Sequence, residues 1–298
     1  MKILLFGANG QVGWELQRSL AAIGEIVAPE RHGTALCGDL ANLQGLAATV
    51  QLVRPNIIVN AAAHTAIDRA ESEPELARTI NTLAPGVLAS EAAALGALLV
   101  HYSTDYVFDG SGSQPWLETD ASGPINVYGQ TKLEGERLVQ SACPNHLIFR
   151  TSWVYAARGG NFAETILRLA QERERLSVID DQFGAPTGAE LIADVTTHAL
   201  RQVLRCPSDA GLYHLAAAGE TSWHGYAKYV LGHVNTGYPA IKIVAKFVDP
   251  VPSSAFPTAA RRPHNSRLDT GKLQTIFGLM LPHWQQGVAR MLTETLPT

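Results

Sequence analysis

Tyr128 and Lys132 stand four residues apart in Tyr128-Gly129-Gln130-Thr131-Lys132, a spacing that sets both side chains on one face of a helix. A phenol beside a fixed ammonium is a proton donor, because the positive charge favours the phenolate and draws its pKa below the usual value of about 10. The same pair also occurs on ordinary helix surfaces, where the tyrosine only packs on the lysine stem. The rest of the chain has to decide between the two.

Lys2 to Phe6 is a continuous apolar run, the pattern of a parallel strand buried on both faces. It leads into Gly7-Ala8-Asn9-Gly10-Gln11-Val12-Gly13 and an amphipathic stretch ending near Gly24. Strand, glycine turn and helix in that order present backbone N–H groups at the positive end of a helix dipole, where a dinucleotide pyrophosphate is held. The spacing is G-x-x-G-x-x-G and not the standard G-x-G-x-x-G, so the turn's place after the first strand carries the weight. A second short strand, 25–28, is followed by Glu30 and Arg31, a little under the ~20 residues past the glycines at which the adenosine ribose is met. Glu30 would accept from a 2′-hydroxyl, as in NAD, whereas Arg31 would pair with a 2′-phosphate, as in NADP. A solvated strand end explains either residue equally well.

A third buried strand, 57–60, opens into Ala61-Ala62-Ala63-His64-Thr65. Small side chains past a strand's carboxyl end leave room for a flat ligand, or make a tight joint to the next helix. His64 has no evident partner and reads as structural. A fourth strand, 98–103, enters Ser103-Thr104-Asp105, which sets Thr104 at a strand's carboxyl end beside the expected nicotinamide. A Gly/Ser/Pro-rich loop, 109–127, delivers the chain to Tyr128. The helix that follows runs to about residue 142, before a fifth strand, 146–151, that exits at Ser152-Trp153-Val154-Tyr155. Further helices are expected at 42–53, 74–82 and 85–95.

This alternation predicts an α/β fold, a Rossmann-type doubly wound parallel sheet. Beyond Tyr155 it becomes irregular, with a helix at 161–172, a strand at 176–179, a helix at 189–204 and a strand at 212–215 returning to the sheet, then a helix at 223–232 and two short closing helices. The expected division is a dinucleotide-binding domain of 1–155 with about 189–218, and a smaller C-terminal α/β substrate lobe of about 156–188 with 219–298.

At 298 residues the chain has reached the size at which one core begins to split in two. A net charge of −4 and the lack of any Lys/Arg run exclude a basic surface for nucleic acid or anionic lipid. Cys37, Cys143 and Cys206 are odd in number and carry no metal-ligand spacing, as in a reducing compartment. The apolar start ends at Gly7 without a cleavage site, and no apolar run is long enough to span a bilayer. A soluble cytoplasmic protein is expected.

The glycine turn, Ser103-Thr104-Asp105, the Tyr128/Lys132 pair and the stretch Pro124 to Lys132 resemble extended short-chain dehydrogenase/reductases acting on nucleotide sugars. More narrowly, Ser103 to Asp109, Arg150 to Tyr155, Asp181 to Gly188 and Arg262-Pro263-His264-Asn265-Ser266 resemble the dTDP-4-dehydrorhamnose reductases, over nearly the whole chain. The resemblance implies NADPH- or NADH-dependent reduction of the C4 keto group of dTDP-4-dehydro-L-rhamnose. Tyr128 would donate the proton, Lys132 would hold the nicotinamide ribose and keep the phenol's pKa low, and Thr104, in a place usually held by serine, would stabilise the oxygen as it gains charge. The implied cofactor set is Gly7, Asn9, Gly10, Gln11, Val12, Gly13, Glu30, Arg31, Asp39, Leu40, Ala61, Ala62, Ala63, His64, Thr65, Tyr102, Tyr128 and Lys132. Asp105 and Trp153 join Thr104 as the dTDP-sugar contacts. Pro29-Glu30-Arg31 departs from the aspartate that the family carries at the ribose. The resemblance also implies a homodimer holding Mg2+ through Glu15, Glu190 and Glu294, positions at which surface helix glutamates are an equally simple explanation.

Three other chemistries use the same scaffold. A sugar-nucleotide 4,6-dehydratase needs two carboxylates after the strand-four threonine, whereas Asp105 is followed here by Tyr106. A 4-epimerase uses the same Tyr/Lys pair and retains its cofactor through the cycle, and another nucleotide-sugar reductase would differ only in substrate. A non-catalytic dinucleotide-binding regulatory subunit would have no need of Thr104, Tyr128 and Lys132 together.

Overall fold

The computed structural model describes residues 1–297. The chain opens β1 (Lys2–Phe6), α1 (Gln11–Leu20), β2 (Glu25–Val27), α2 (Leu43–Val53) and β3 (Ile57–Asn60). It continues through α3 (Ile67–Ser72), α4 (Pro74–Arg78), a π-helical turn (Thr79–Leu83), α5 (Ala84–Leu95), β4 (Leu98–Thr104), α6 (Val127–Ala142) and β5 (His146–Thr151). The helix expected at 74–82 is thus broken, its last turn widened to π where Asn81 sits buried against α6.

β1 to β5 are joined by a later strand into a six-stranded parallel sheet. Its register sets Leu4 beside Ile58, Ile58 beside Leu99, and Asn60 beside His101. The apolar runs are continuous because both faces are covered. Ile3, Leu5, Ile57, Val59, Leu98 and Val100 face one core cluster, while Leu4, Phe6, Ile58 and Leu99 face another with α2 and α5.

After β6 (Val154–Tyr155), α7 (Phe162–Glu172), β7 (Arg175–Ile179), β8 (Phe183–Gly184) and β9 (Thr187–Gly188), the chain returns to the sheet. α8 (Ala189–Val203) packs on α1, and β10 (Gly211–His214) pairs with β5 at the sheet edge. β11 (Thr221–Ser222), α9 (Trp223–Gly237), β12 (Phe247–Val251), α10 (Gly271–Phe277) and α11 (Trp284–Thr295) complete the chain. β12 was not legible as a strand because Pro250 interrupts it; parallel pairing with β7 holds it in place. α7, α9 and α11 enclose a separate core around Tyr226, Val230 and Val288. Leu273, Phe277 and Leu281 pack instead into the sheet's own cluster, so the α10 region covers the sheet.

Gly7 holds φ at +81°, and a Cβ there would sit 2.7 Å from the Ala61 carbonyl carbon; a Cβ on Gly13 would collide with the Gly7 carbonyl. These two glycines therefore let β1, the turn and α1 close on the end of β3.

Arg150 of β5 and Glu136 of α6 are both buried and paired through two nitrogens, at 3.0 and 2.7 Å, with the guanidinium over the Phe108 ring. Breaking a buried pair strands the partner's charge. Glu136→Ala should cost about 3–5 kcal/mol of unfolding free energy in a denaturant titration, and Glu136→Gln, which retains an acceptor oxygen, should cost less.

Candidate active site

Asn126 begins α6 by accepting from Gly129 N–H (2.8 Å) while its amide nitrogen donates to the Arg261 carbonyl (2.7 Å), and Glu71 accepts from Val127 N–H (2.9 Å). These caps satisfy first-turn donors and fix where the helix starts. Tyr128 therefore lies in the first turn and Lys132 one turn deeper, where Lys132 is 2% exposed. Its Nζ donates to the Tyr102 carbonyl at 2.6 Å and lies 3.2 Å from His101 Nε2.

β4 brings Thr104 to the same point. The Thr104 hydroxyl donates to Asp105 Oδ1 (3.0 Å), accepts from Tyr106 N–H (3.2 Å), and reaches the Tyr128 phenol. Tyr106 packs edge-on against Tyr128 with centroids 5.6 Å apart. Thr104, Asp105, Tyr128 and Lys132 are thus brought together by one strand end and one helix.

The electrostatics correct one expectation. Burial pushes the Tyr128 phenol up to about 12, against the pull of the Thr104 hydrogen bond, and Asp105 adds to the rise. The phenol's pKa is therefore raised in the ligand-free protein and not lowered, because desolvation outweighs the Thr104 hydrogen bond. Burial likewise draws Lys132 down to about 8, with Glu136 opposing. Asp105 is pushed up to about 6 by burial, against hydrogen bonds from Ser266 and Thr104.

A groove of about 400 Å³ opens at the carboxyl ends of β1 and β3; Thr104, Tyr128 and Lys132 do not line it. Gly7, Asn9 and Gly10 of the turn, Arg31, Asp39 and Leu40, and Ala62, Ala63, His64 and Thr65 line it. It passes over the N-terminus of α1, whose N–H groups have no side-chain cap. Arg31 is an exposed groove residue 3.4 Å from Asp39, whereas Glu30 is exposed and does not line the groove. Gln11 turns to the Gly160 carbonyl, while Val12 and Ala61 pack on the sheet core and Gly13 closes the turn from behind. Tyr102 offers its carbonyl to Lys132 and engages its hydroxyl with Thr196 (2.8 Å). His64, which had no evident partner in the sequence, lies 3.7 Å from Glu73 and exchanges backbone bonds with the Asn81 amide.

Among the described residues, His64 Nδ1, Ser103 Oγ, Asp105 Oδ2, Thr151 Oγ1 and Ser152 Oγ are buried without a partner. These five belong to segments at the carboxyl ends of β3, β4 and β5, where an open parallel sheet binds ligands; Arg150 Nη1, His214 Nε2, Tyr226 Oη and Trp284 Nε1, also buried without a partner, lie within β5, β10, α9 and α11. The glycine cradle and the unpaired atoms at the strand ends fit a bound dinucleotide and a polar substrate. Trp153, at φ +48°, stacks on Trp223 with ring centroids 3.7 Å apart, so it joins the end of β5 to α9.

The structure lends the metal expectation no support. Glu15, Glu190 and Glu294 lie on α1, α8 and α11, near enough for Glu15 and Glu294 to raise the Glu190 pKa, behind its burial as the main cause. Yet no group of three His, Cys, Asp or Glu among the described residues is placed to hold a metal ion. Arg18 and Arg290 pair with Glu15 and Glu294 instead.

His101, Asn60 and Trp223 were not singled out from the sequence, and Tyr106 and Arg262, named there for the missing second carboxylate and for the family resemblance, were given no place at the site. Tyr106 also meets the Arg262 side chain, which in turn pairs with Asp68 at 2.8 Å and so ties the 260–267 segment to α3. Aligning β3 against β4 would have paired Asn60 with His101; nothing in the sequence brings Arg262 or Trp223 near the site.

The family model for the RmlD substrate binding domain matches residues 1–296. The dTDP-4-dehydrorhamnose reductase of Escherichia coli (strain K12) is 58% identical over 298 residues, covering 100% of this chain and 99% of its own. The structure of a dTDP-4-dehydrorhamnose reductase from Clostridium acetobutylicum superposes with a TM-score of 0.88 at 34% identity, covering 99% of both chains. That of the Bacillus anthracis dTDP-4-dehydrorhamnose reductase in complex with NADP does so with a TM-score of 0.87 at 34% identity, again over 99% of both chains. With the glycine cradle, the Thr104/Tyr128/Lys132 grouping and full-length similarity in agreement, this chain belongs to the dTDP-4-dehydrorhamnose reductase family.

Proposed function

We propose that the chain reduces the C4 carbonyl of dTDP-4-dehydro-L-rhamnose to give dTDP-L-rhamnose, using NADPH. The observation that carries this reading is the meeting of Thr104 and Tyr128 at the end of β4, with Lys132 one helical turn on and bonded to the same strand, in a chain whose glycine turn opens a groove along the ends of β1 and β3. The groove residues would hold the dinucleotide, with its pyrophosphate at the N-terminus of α1. When bound, the reduced nicotinamide supplies the hydride. Arg31 on the groove wall, with Glu30 outside it, favours a 2′-phosphate and hence NADPH over NADH.

Tyr128 carries its proton throughout the neutral range, since its pKa stands at about 12. It is therefore loaded before substrate arrives, and the sugar alkoxide formed at C4 is a stronger base than phenolate. Thr104 donates to the same oxygen as charge grows on it. Lys132, when protonated, stabilises the phenolate that Tyr128 leaves behind. Asp105, with Oδ2 unpaired, accepts from a sugar hydroxyl. The substrate lobe, 156–188 with the α9 and α11 regions, closes over the sugar through Trp153 and Trp223. The free thiols at Cys37, Cys143 and Cys206 suit a cytoplasmic setting, and no helix among the described residues is long and apolar enough to cross a membrane.

The test incubates the protein with the 4-keto-6-deoxy sugar nucleotide and NADPH or NADH while following absorbance of the reduced cofactor. Turnover should be more efficient with NADPH, and failure to oxidise either cofactor would sink the reading. Tyr128→Phe should lower kcat by about 10²–10⁴, with NADPH affinity within a few-fold of wild type; turnover near the wild-type rate would remove Tyr128 from the role of donor.

Asp105 makes a separate prediction. Its folded pKa, about 6, lies above the ordinary carboxylate value, so the folded protein binds more protons than the unfolded chain between the two values. Stability contributed by this group is therefore lost as pH rises through that window, on the order of 3 kcal/mol by neutral pH. Asp105→Asn should raise Tm at neutral pH, lose that gain in acid below the ordinary carboxylate pKa, and increase KM for the sugar nucleotide.

A further inference from the structure

Asn60 lies opposite His101 in the β3/β4 register, and both side chains are 1% exposed. Ala62 N–H donates to Asn60 Oδ1 at 3.2 Å, which leaves the Asn60 amide nitrogen facing His101 Nδ1 at 3.3 Å. That nitrogen can only donate, so Nδ1 is the acceptor and the single proton of the neutral ring sits on Nε2. Nε2 in turn faces Lys132 Nζ at 3.2 Å. With an ammonium at Nζ, N–H would point at N–H. A free amine accepts the Nε2 proton on its lone pair, donates one N–H to the Tyr102 carbonyl at 2.6 Å, and has a second N–H left over. Asn60, the His101 ring and the Tyr102 carbonyl then each have a partner of the right kind, as buried polar groups require, and no donor faces a donor.

We propose that His101, oriented by Asn60, is a positioning residue whose Nε2–H opposes the ammonium form of Lys132 in the cofactor-free protein. The inference rests on the reductase reading for its consequence, since Lys132 serves Tyr128 there, but its test does not. The surroundings agree. Burial, and after it the charge of Lys132 when protonated, holds His101 well below its ordinary value and so keeps the ring neutral, while burial draws Lys132 down to about 8, which brings the amine within reach although the ammonium is still the major form at pH 7. Glu136, on the same helix, pulls the other way, and its carboxylate is already engaged by Arg150 of β5. Asp105, following β4, couples to Tyr128 and Tyr106. Glu71 of α3 and Arg78 of α4 meet α6 at Val127 and Glu134, and the π-helical turn presents the neutral side chains Asn81 and Thr82 to Thr131. His101 is thus the ring whose proton opposes the charged form of Lys132.

The experiment titrates the side-chain amine of Lys132 by heteronuclear NMR of the full-length, cofactor-free protein with isotope-labelled lysine, the resonance being assigned by its loss in Lys132→Met. His101→Gln replaces the opposing Nε2–H with an amide whose oxygen can accept from an ammonium. Asn60→Leu removes the donor that fixes the tautomer. Neither adds a charge. Each should move the Lys132 midpoint upward by about one unit or more, because the charged form no longer meets a donor. A midpoint unchanged or lowered in either folded variant overturns the proposal, and either variant decides alone if the other does not fold. No turnover is involved, so failure of the reductase reading would leave the titration result standing.

Discussion

The burial of one amine nitrogen constrains this structure more than any other single contact. Lys132 Nζ lies beneath the end of β4, where a charge is costly and an unpaired donor nearly as much so. Three separate parts of the sequence converge to satisfy it: the Tyr102 carbonyl and His101 ring from β4, Asn60 from β3, and the capped start of α6 that sets the helix's rotation. Glu136 and Arg150 then fix the other end of the α6 contact with β5. Moving α6 by one residue would strand all of these groups at once.

The site is kept at the expense of stability. Asp105 is a carboxyl buried at a raised pKa, Tyr128 a half-buried phenol whose pKa is also raised, and Trp153 a bulky residue held at positive φ. Unpaired hydroxyls at Ser103, Thr151 and Ser152 cluster in the same place. Each is unfavourable in the empty protein and becomes favourable only when a ligand supplies its partner. Their common location at the strands' carboxyl ends is where the energy stored in the fold can act on chemistry.

Much of this was legible in the sequence. The five apolar strands, the glycine turn and the Tyr/Lys helix obey local rules of periodicity and spacing, and the structure places them where those rules put them. Thr104 was legible because strand ends in such sheets face the ligand. What escaped depends on distant parts of the chain meeting. Trp223 reaches Trp153 only through the packing of α9, Arg262 reaches Tyr106 only because the 260–267 segment folds back over α3, and β12 exists as a strand only by pairing with β7. The reversed Tyr128 pKa belongs to the same class: spacing located the cation, but only the packed structure reveals how much water has been removed.

Hydride delivery to C4 at the Thr104/Tyr128/Lys132 site is tested most directly by running the reaction with NADPH carrying deuterium at the transferable position of the nicotinamide and locating the label in the sugar nucleotide by NMR. One deuterium per product is expected, bound at C4, on a single face. Label at another carbon, or product formed without label, would contradict that delivery.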